Sequence, residues 1–358
     1  MALQTTSATG IREGEAVHLP RELLARVFRS VSYRKIGSQV EVTATLLAPP
    51  TEEWTTVLAI DASESMRPLW GKTLIGDIPL LIQERYARQG WMREEVRDGQ
   101  TLRMLLPEAY DDALANGYLK WTPNEIERPG QQFLELLAGK LDARQVCRLL
   151  VFGTGGDPGW LDLGKVTRAE AVDRPLPGDE EFEFGSEARL LPLLQHLVEA
   201  ATAVPRTLVV VLTDGGFGDA GEVKDFCRQL ASQIKTRARN FMKFLAVGVG
   251  PHIHRKVFDD LEGFEIAPNL DLWDYLPLAE IKEPEDLLST IFPVDRVVAP
   301  AAVICDPNGK VVQEFPQGVL GKVTFRLPAD ASGFTIQFPP DARVLAQTLR
   351  LPFRKRDP

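Results

Sequence analysis

Asp61, Ser63 and Ser65 stand at alternate positions in the stretch Asp61-Ala62-Ser63-Glu64-Ser65. A carboxylate with two hydroxyls offers only hard oxygen donors, a set suited to a small hard cation such as magnesium. The run before it, Trp54 to Ile60, is β-branched and aliphatic and follows Pro49-Pro50. Such a run reads as a buried parallel strand. The three oxygen-bearing side chains then lie at its carboxyl end, where open α/β sheets bind ligands. Leu208 to Leu212 repeats the pattern and runs into Thr213-Asp214-Gly215-Gly216. Asp214 brings a second carboxylate to a strand end, and the glycines let the backbone turn sharply after it.

Asp and Ser are also ordinary turn and cap residues, so the pentapeptide alone carries little weight. Strand context and the second motif change that. Together, D-x-S-x-S after one strand and T-D-G after a later one resemble the metal-ion-dependent adhesion site of the von Willebrand factor type A family, over about residues 54 to 293. In that family a Thr after a Gly, in the loop before an intervening helix, completes the cation shell. Its counterpart here is Gly185-Ser186, with Ser where the family usually has Thr.

The resemblance implies a doubly wound, mainly parallel, Rossmann-like sheet. It also implies a divalent ion, Mg2+ or else Mn2+ or Ca2+, held by Asp61, Ser63, Ser65, Ser186 and Asp214. The serine hydroxyls would bind the ion directly, and the two aspartates would neutralise it directly or through water. One position is then left for an Asp or Glu of a protein partner. Intracellular bacterial-style members of the family act as scaffolds beside AAA+ ATPases, kinase–phosphatase pairs or stress and defence systems. The expected role is therefore a metal-bridged protein-binding module and not an enzyme. Two alternatives stay open: a metal-dependent phosphoryl-transfer enzyme with Asp61 as nucleophile, and a structural subunit whose site holds no metal. The first usually presents a second carboxylate two residues on, where this chain has Ser63.

These side chains need a scaffold of alternating strands and helices. Cys147 to Phe152 and Phe241 to Val249 read as further buried strands, and Trp160 to Val166 as a neighbour of the first. Gly130 to Leu141, Ala188 to Ala203, Glu222 to Lys235, Ile253 to Leu261 and Glu283 to Phe292 carry helical apolar spacing, and Gly263 to Ile266 reads as an edge strand. Such alternation implies a mainly parallel sheet covered on both faces.

The core, residues 51–295, is interrupted by an insertion over 66–128 that contains Trp70, Trp91 and Trp121. Because it follows Ser65 without a break, it should leave from the metal face, and Arg67 and Trp70 are the expected partner contacts. Residues 1–18 lack periodicity, and Arg21 to Phe28 reads as a short helix or lead-in. Val40 to Leu46 alternates as a half-buried strand. From 296 to 358 the texture is all-β, with Asp306-Pro307-Asn308-Gly309 at a hairpin tip. Segment 1–50 and this C-terminal part are expected to complete one small β-sandwich, since a short sheet alone would expose apolar faces and edges.

Other motifs weigh less. His252 and His254 open a helix beside Pro251 with no further ligand spaced to close a zinc tetrahedron, so they read as caps or surface residues. Gly153-Thr154-Gly155-Gly156-Asp157 lacks the Lys-Ser/Thr ending of a phosphate loop. No G-x-S-x-G elbow is present. A net charge of −9 argues against nucleic acid as ligand. No apolar run is long enough to span a bilayer. The first residues lack a basic region followed by an apolar core, and three widely spaced cysteines cannot all pair, which points to the cytoplasm.

Overall fold

A computed structural model of the chain describes residues 14–25, 27–47, 53–97, 100–178, 181–201, 205–262, 272–292, 297–339 and 343–349. The protein is mixed α/β with several sheets, one of them largely parallel and the others antiparallel. Trp54–Asp61 runs through the middle of a six-stranded sheet, buried throughout from Thr56. The spatial order is Trp160–Thr167, Asp142–Phe152, Trp54–Asp61, Arg206–Thr213, Phe241–Gly248 and Trp273–Pro277. Neighbours are parallel except the antiparallel edge strand Trp160–Thr167.

The unbroken apolar runs are what a sheet covered on both faces requires. Glu127–Leu136 and Asp286–Ile291 cover one face, through Phe133, Leu134, Leu287 and Leu288. Leu191–Ala200, Ala220–Lys235 and Arg255–Glu262 cover the other, through Leu193, Leu197, Val223, Leu230 and Phe258. The helix expected from Gly130 begins earlier, at Glu127, and its last turn widens to a π turn over Leu137–Leu141. The edge strand expected at Gly263 to Ile266 lies outside the described residues, and the edge is formed by Trp273–Pro277.

Ala16–His18, Phe28–Ile36, Gln39–Leu46 and Lys322–Pro328 form a second, antiparallel sheet. Its fourth strand comes from the C-terminal region and pairs with the Gln39–Leu46 strand in the register Phe325↔Val42. Val311–Phe315, Ala302–Cys305, Gly333–Phe338 and Arg343–Thr348 form a third. The inward residues of both, among them Val42, Phe325, Ile304 and Phe338, share one apolar core. Two expectations fail here. Residues 14–18 are not all irregular, since Ala16–His18 pairs with Phe28–Ile36. Only Arg21–Leu23 of the proposed helix is helical, as one short turn, and Phe28 opens a strand. A register shift between Phe28 and Ser30 breaks the alternation that would have revealed that strand. Arg29 ties this region to the α/β part, pairing with Asp286 at 2.6 Å and also donating to Ser289.

The insertion folds as a small unit. Leu74–Gly76 and Leu119–Trp121 pair at its neck, and between them lie helix Leu80–Gln89, hairpin Met92–Arg97/Gln100–Leu105 and helix Pro107–Ala115. Tyr86, Ala109 and Ala113 make its core, with Trp91 against the Tyr86 ring. Among the described residues, no helix is long and apolar enough to cross a membrane.

Candidate metal site

Asp61 is the last residue of its strand and is fully buried. Its neighbour strand ends in register, Leu212 opposite Ile60, which sets Thr213 beside Asp61 and Asp214 just beyond. Asp61 Oδ1 accepts from the Ser63 amide at 2.9 Å, and Oδ2 accepts from the Thr213 hydroxyl at 2.6 Å. Asp214 Oδ1 accepts from the Gly216 amide at 2.8 Å, made possible by the turn at Gly215, whose φ is +83°. The Ser63 and Ser65 hydroxyls lie 3.2 Å apart. Ser63 is buried and Ser65 exposed, so the pair leads from the sheet to the surface.

Ser186 is brought in by backbone pairing. Ser63 and Gly185 form a parallel bridge in which the Gly185 carbonyl accepts from the Glu64 amide at 2.7 Å, and the Gly185 amide donates to Ala62 O at 3.2 Å. A Cβ at Gly185 would fall 2.5 Å from Gly153 O, so only glycine permits this approach. Gly153 closes over the carboxylate in the same way: a Cβ there would lie 3.0 Å from Asp61 Oδ1.

The electrostatics favour a cation. Burial pushes the Asp61 carboxyl up to about 6, against the lowering pull of the Thr213 and Ser63 hydrogen bonds, and the Asp214 charge pushes the same way as burial. No Lys, Arg or His of the described residues pairs with either aspartate. Two carboxylates facing one loop cluster with only neutral donors leave negative charge uncompensated in a desolvated place. A divalent ion fits that donor set of carboxylates and hydroxyls. Among the described residues no group of three or more His, Cys, Asp or Glu is arranged to hold a metal, so a cation here would rely on the serine hydroxyls.

The five expected ligand residues therefore gather at one end of the sheet. Arg67 stays at its rim, its guanidinium 4.7 Å from the centroid of the Phe184 ring and 2.8 Å from Glu64. Trp70 does not act as expected. It is 2% exposed, packs on Phe182, and donates its indole N–H to Asp61 O at 2.8 Å. It anchors the loop and presents no surface to a partner. The turn after Ser65 folds back into the core because Met66 and Trp70 are large apolar side chains four apart.

Two contributors escaped sequence reasoning. Thr213 enters the sequence reading only as the head of the T-D-G motif, with no role assigned, yet its hydroxyl positions Asp61. Asp219 accepts from the Leu190 and Leu191 amides at 3.0 and 2.8 Å, capping the start of the Leu191–Ala200 helix from another loop. A cap donated from elsewhere in the chain leaves no local spacing signal. His254, set aside as a zinc ligand, donates its backbone N–H to Asp214 O at 2.8 Å.

No family model and no curated protein matches the sequence. Among solved structures, the PilB minor pilin from Streptococcus sanguinis is similar over 77% of this chain and 76% of that one, at 9% identity and a TM-score of 0.36. A likeness that loose carries no argument about fold or function.

Proposed function

We propose that this chain is a von Willebrand factor type A protein of the intracellular bacterial style, with a doubly wound sheet, that binds a protein partner through a divalent cation. The cation is magnesium, or manganese or calcium in its place, and Asp61, Ser63, Ser65, Ser186 and Asp214 would hold it. One observation carries the reading: two carboxylates at adjacent parallel strand ends meet the Ser63–Ser65 hydroxyl pair in a single loop cluster.

When bound, the ion supplies an electrophilic centre for a carboxylate oxygen. The chain's own residues hold the carboxylates still. Thr213 and the Ser63 amide orient Asp61, the Gly216 amide orients Asp214, and Trp70 fixes the backbone at Asp61. The partner contributes an Asp or Glu, and the half-exposed Arg67 at the rim adds an attractive charge for it. Binding is favoured over phosphoryl transfer because Ser63 stands two residues after Asp61, where such enzymes usually present a second carboxylate. The proposed setting is a multi-protein cytoplasmic system, with an AAA+ ATPase or a stress or defence component as the partner class. Nucleic acid and membrane are not proposed ligands.

Calorimetric titration of the full chain with magnesium, manganese and calcium tests the site. Binding is expected in the wild type and should be absent in Asp61→Ala and Asp214→Ala. A wild type that binds none of the three, or variants that bind as tightly, overturns the reading. A pull-down from the native cell with and without chelator then tests the partner, whose capture should need the metal.

A further inference from the structure

At the opposite end of the six-stranded sheet from Asp61, a cavity of about 520 Å³ opens beneath the last turn of the Leu191–Ala200 helix. Thr56 and Asp61 are five residues apart on one strand, so about 16 Å separates this cavity from the metal face. A bulge opens the sheet here. The pairing jumps from Trp54↔Asp142 to Thr56↔Cys147, and the Asp142 carboxylate gathers the amides of Thr56, Arg144 and Val146 at 2.9, 2.8 and 3.2 Å. Gln145 is held at φ +58° in the bulge, a conformation that non-glycine residues rarely adopt.

The charge of the lining runs against that of the whole protein. Among the lining residues Arg144, Arg148 and Lys165 stand against Asp162, three positive charges to one negative in a chain of net charge −9, while the buried Asp142 carboxylate behind the bulge is held by backbone amides. Arg148 is held in place, its Nη2 lying 2.6 Å from Asp162 and 3.1 Å from His196 Nε2, while the His196 ring stacks on Trp160 at 4.1 Å. Arg144 and Lys165 form no ion pair among the described residues. A second, independent observation concerns Thr207. Thr207 lines the cavity at 3% exposure, and its hydroxyl is buried with no hydrogen-bond partner among the described residues. A buried hydroxyl left unsatisfied is costly, and rotation about χ1 toward the cavity would let a ligand acceptor satisfy it.

We propose that this cavity binds a small organic phosphate, its phosphoryl group among Arg144, Arg148, Lys165 and the Thr207 hydroxyl, its apolar body against Val57 and Leu197. A phosphate monoester carries close to two negative charges at neutral pH, matching the two charges that the lining has in excess. The donors arise from three different strands and so approach from different directions. That suits a tetrahedral group with several acceptor oxygens better than a planar, singly charged carboxylate.

Phenyl phosphate is the probe, titrated into the full chain by calorimetry, with benzoate as the carboxylate arm. Phenyl phosphate should bind, benzoate about tenfold or more weaker. Arg144→Ala and Lys165→Ala alter exposed side chains outside the core and should each weaken phenyl phosphate by about fivefold or more. Thr207→Val keeps the shape and should weaken it by about threefold or more. Affinity should be the same in magnesium and in chelator, which separates this site from the metal face. Absent binding, binding unchanged in Arg144→Ala and Lys165→Ala, benzoate binding as tightly, or a requirement for magnesium would each overturn the proposal.

Discussion

The Thr213 hydroxyl donates to Asp61 Oδ2 at 2.6 Å, joining the ends of two adjacent parallel strands, and Thr213 Oγ1 in turn accepts from the Gly215 amide at 2.9 Å. One buried side chain thus positions a carboxylate and the turn that carries the next one. Thr213→Val keeps the shape but leaves the Gly215 amide and one Asp61 oxygen without their partner. It should cost about 1–3 kcal/mol of stability, measured by urea unfolding in chelator. Magnesium affinity should fall as well, because Asp61 is then free to rotate. An unchanged unfolding midpoint would show that the hydrogen bond contributes nothing net.

The Asp61 carboxyl, pushed up to about 6 from 3.8 by burial, sets a pH dependence with a definite sign. Without metal, the folded chain takes up a proton near pH 6, whereas the unfolded chain does so only near pH 4. The folded state binds more protons between those values, so stability is greatest below them and falls as pH rises through about 6. The difference is on the order of 3 kcal/mol in full. Magnesium needs the ionised carboxylate, so its stabilising effect should vanish as pH falls from about 7 to about 5. Melting curves across that range, with chelator and with magnesium, should therefore converge at the acid end. Curves that stay apart there would contradict the assignment of Asp61 as a ligand.

Gly185→Ala should disrupt the site through the backbone. The added methyl would meet Gly153 O at 2.5 Å and Thr154 O at 2.8 Å, neither of which can swing aside. The loop must shift, carrying Ser186 away from Ser63. Magnesium affinity is expected to fall by about tenfold or more with the fold retained, as judged by circular dichroism. Gly156→Ala, in open space but at a positive φ that Gly185 does not have, serves as the control for loop strain without a steric contact.

The thiols should be inert in the folded protein. Burial pushes Cys147 up to about 12 and Cys227 up to about 11, and Cys305 is buried too. Reaction with a chromogenic disulfide reagent needs the thiolate and access to it. No thiol should react before unfolding, and all three should react in denaturant. Fast native reaction of any one would mean that its surroundings open.

A chain beginning at Pro50 should be less stable and prone to aggregate. It would lose Gln39–Leu46, the strand that Lys322–Pro328 pairs with, along with the apolar side chains Val40, Val42 and Ala44 that face the shared core. The freed edge and face invite association. Light scattering and melting temperature measure this, and an unchanged melting temperature would count against a joint core.

Part of this protein was legible in its residues alone. The apolar runs ending in Asp61 and Thr213 marked buried strands, because only a sheet covered on both faces tolerates such runs. Alternation in Val40 to Leu46 marked a half-buried strand, and Asn308-Gly309 marked a hairpin tip. Oxygen donors at alternate positions after a strand suggested cation chemistry, since residue type and spacing are local properties.

What required the tertiary structure was every relation between distant segments. The partner of Val40 to Leu46 is a C-terminal strand, and period-two patterning names a face but not a neighbour. Trp70 was expected at a surface, but its position under the Asp61 carbonyl depends on how the insertion folds back. Asp219 caps a helix that precedes it in sequence, and Thr213 serves a carboxylate on another strand. Arg144 and Arg148 from one strand, Lys165 from a second and Thr207 from a third line one cavity. Such arrangements arise because packing brings together groups whose types are ordinary and whose spacing along the chain carries no signal.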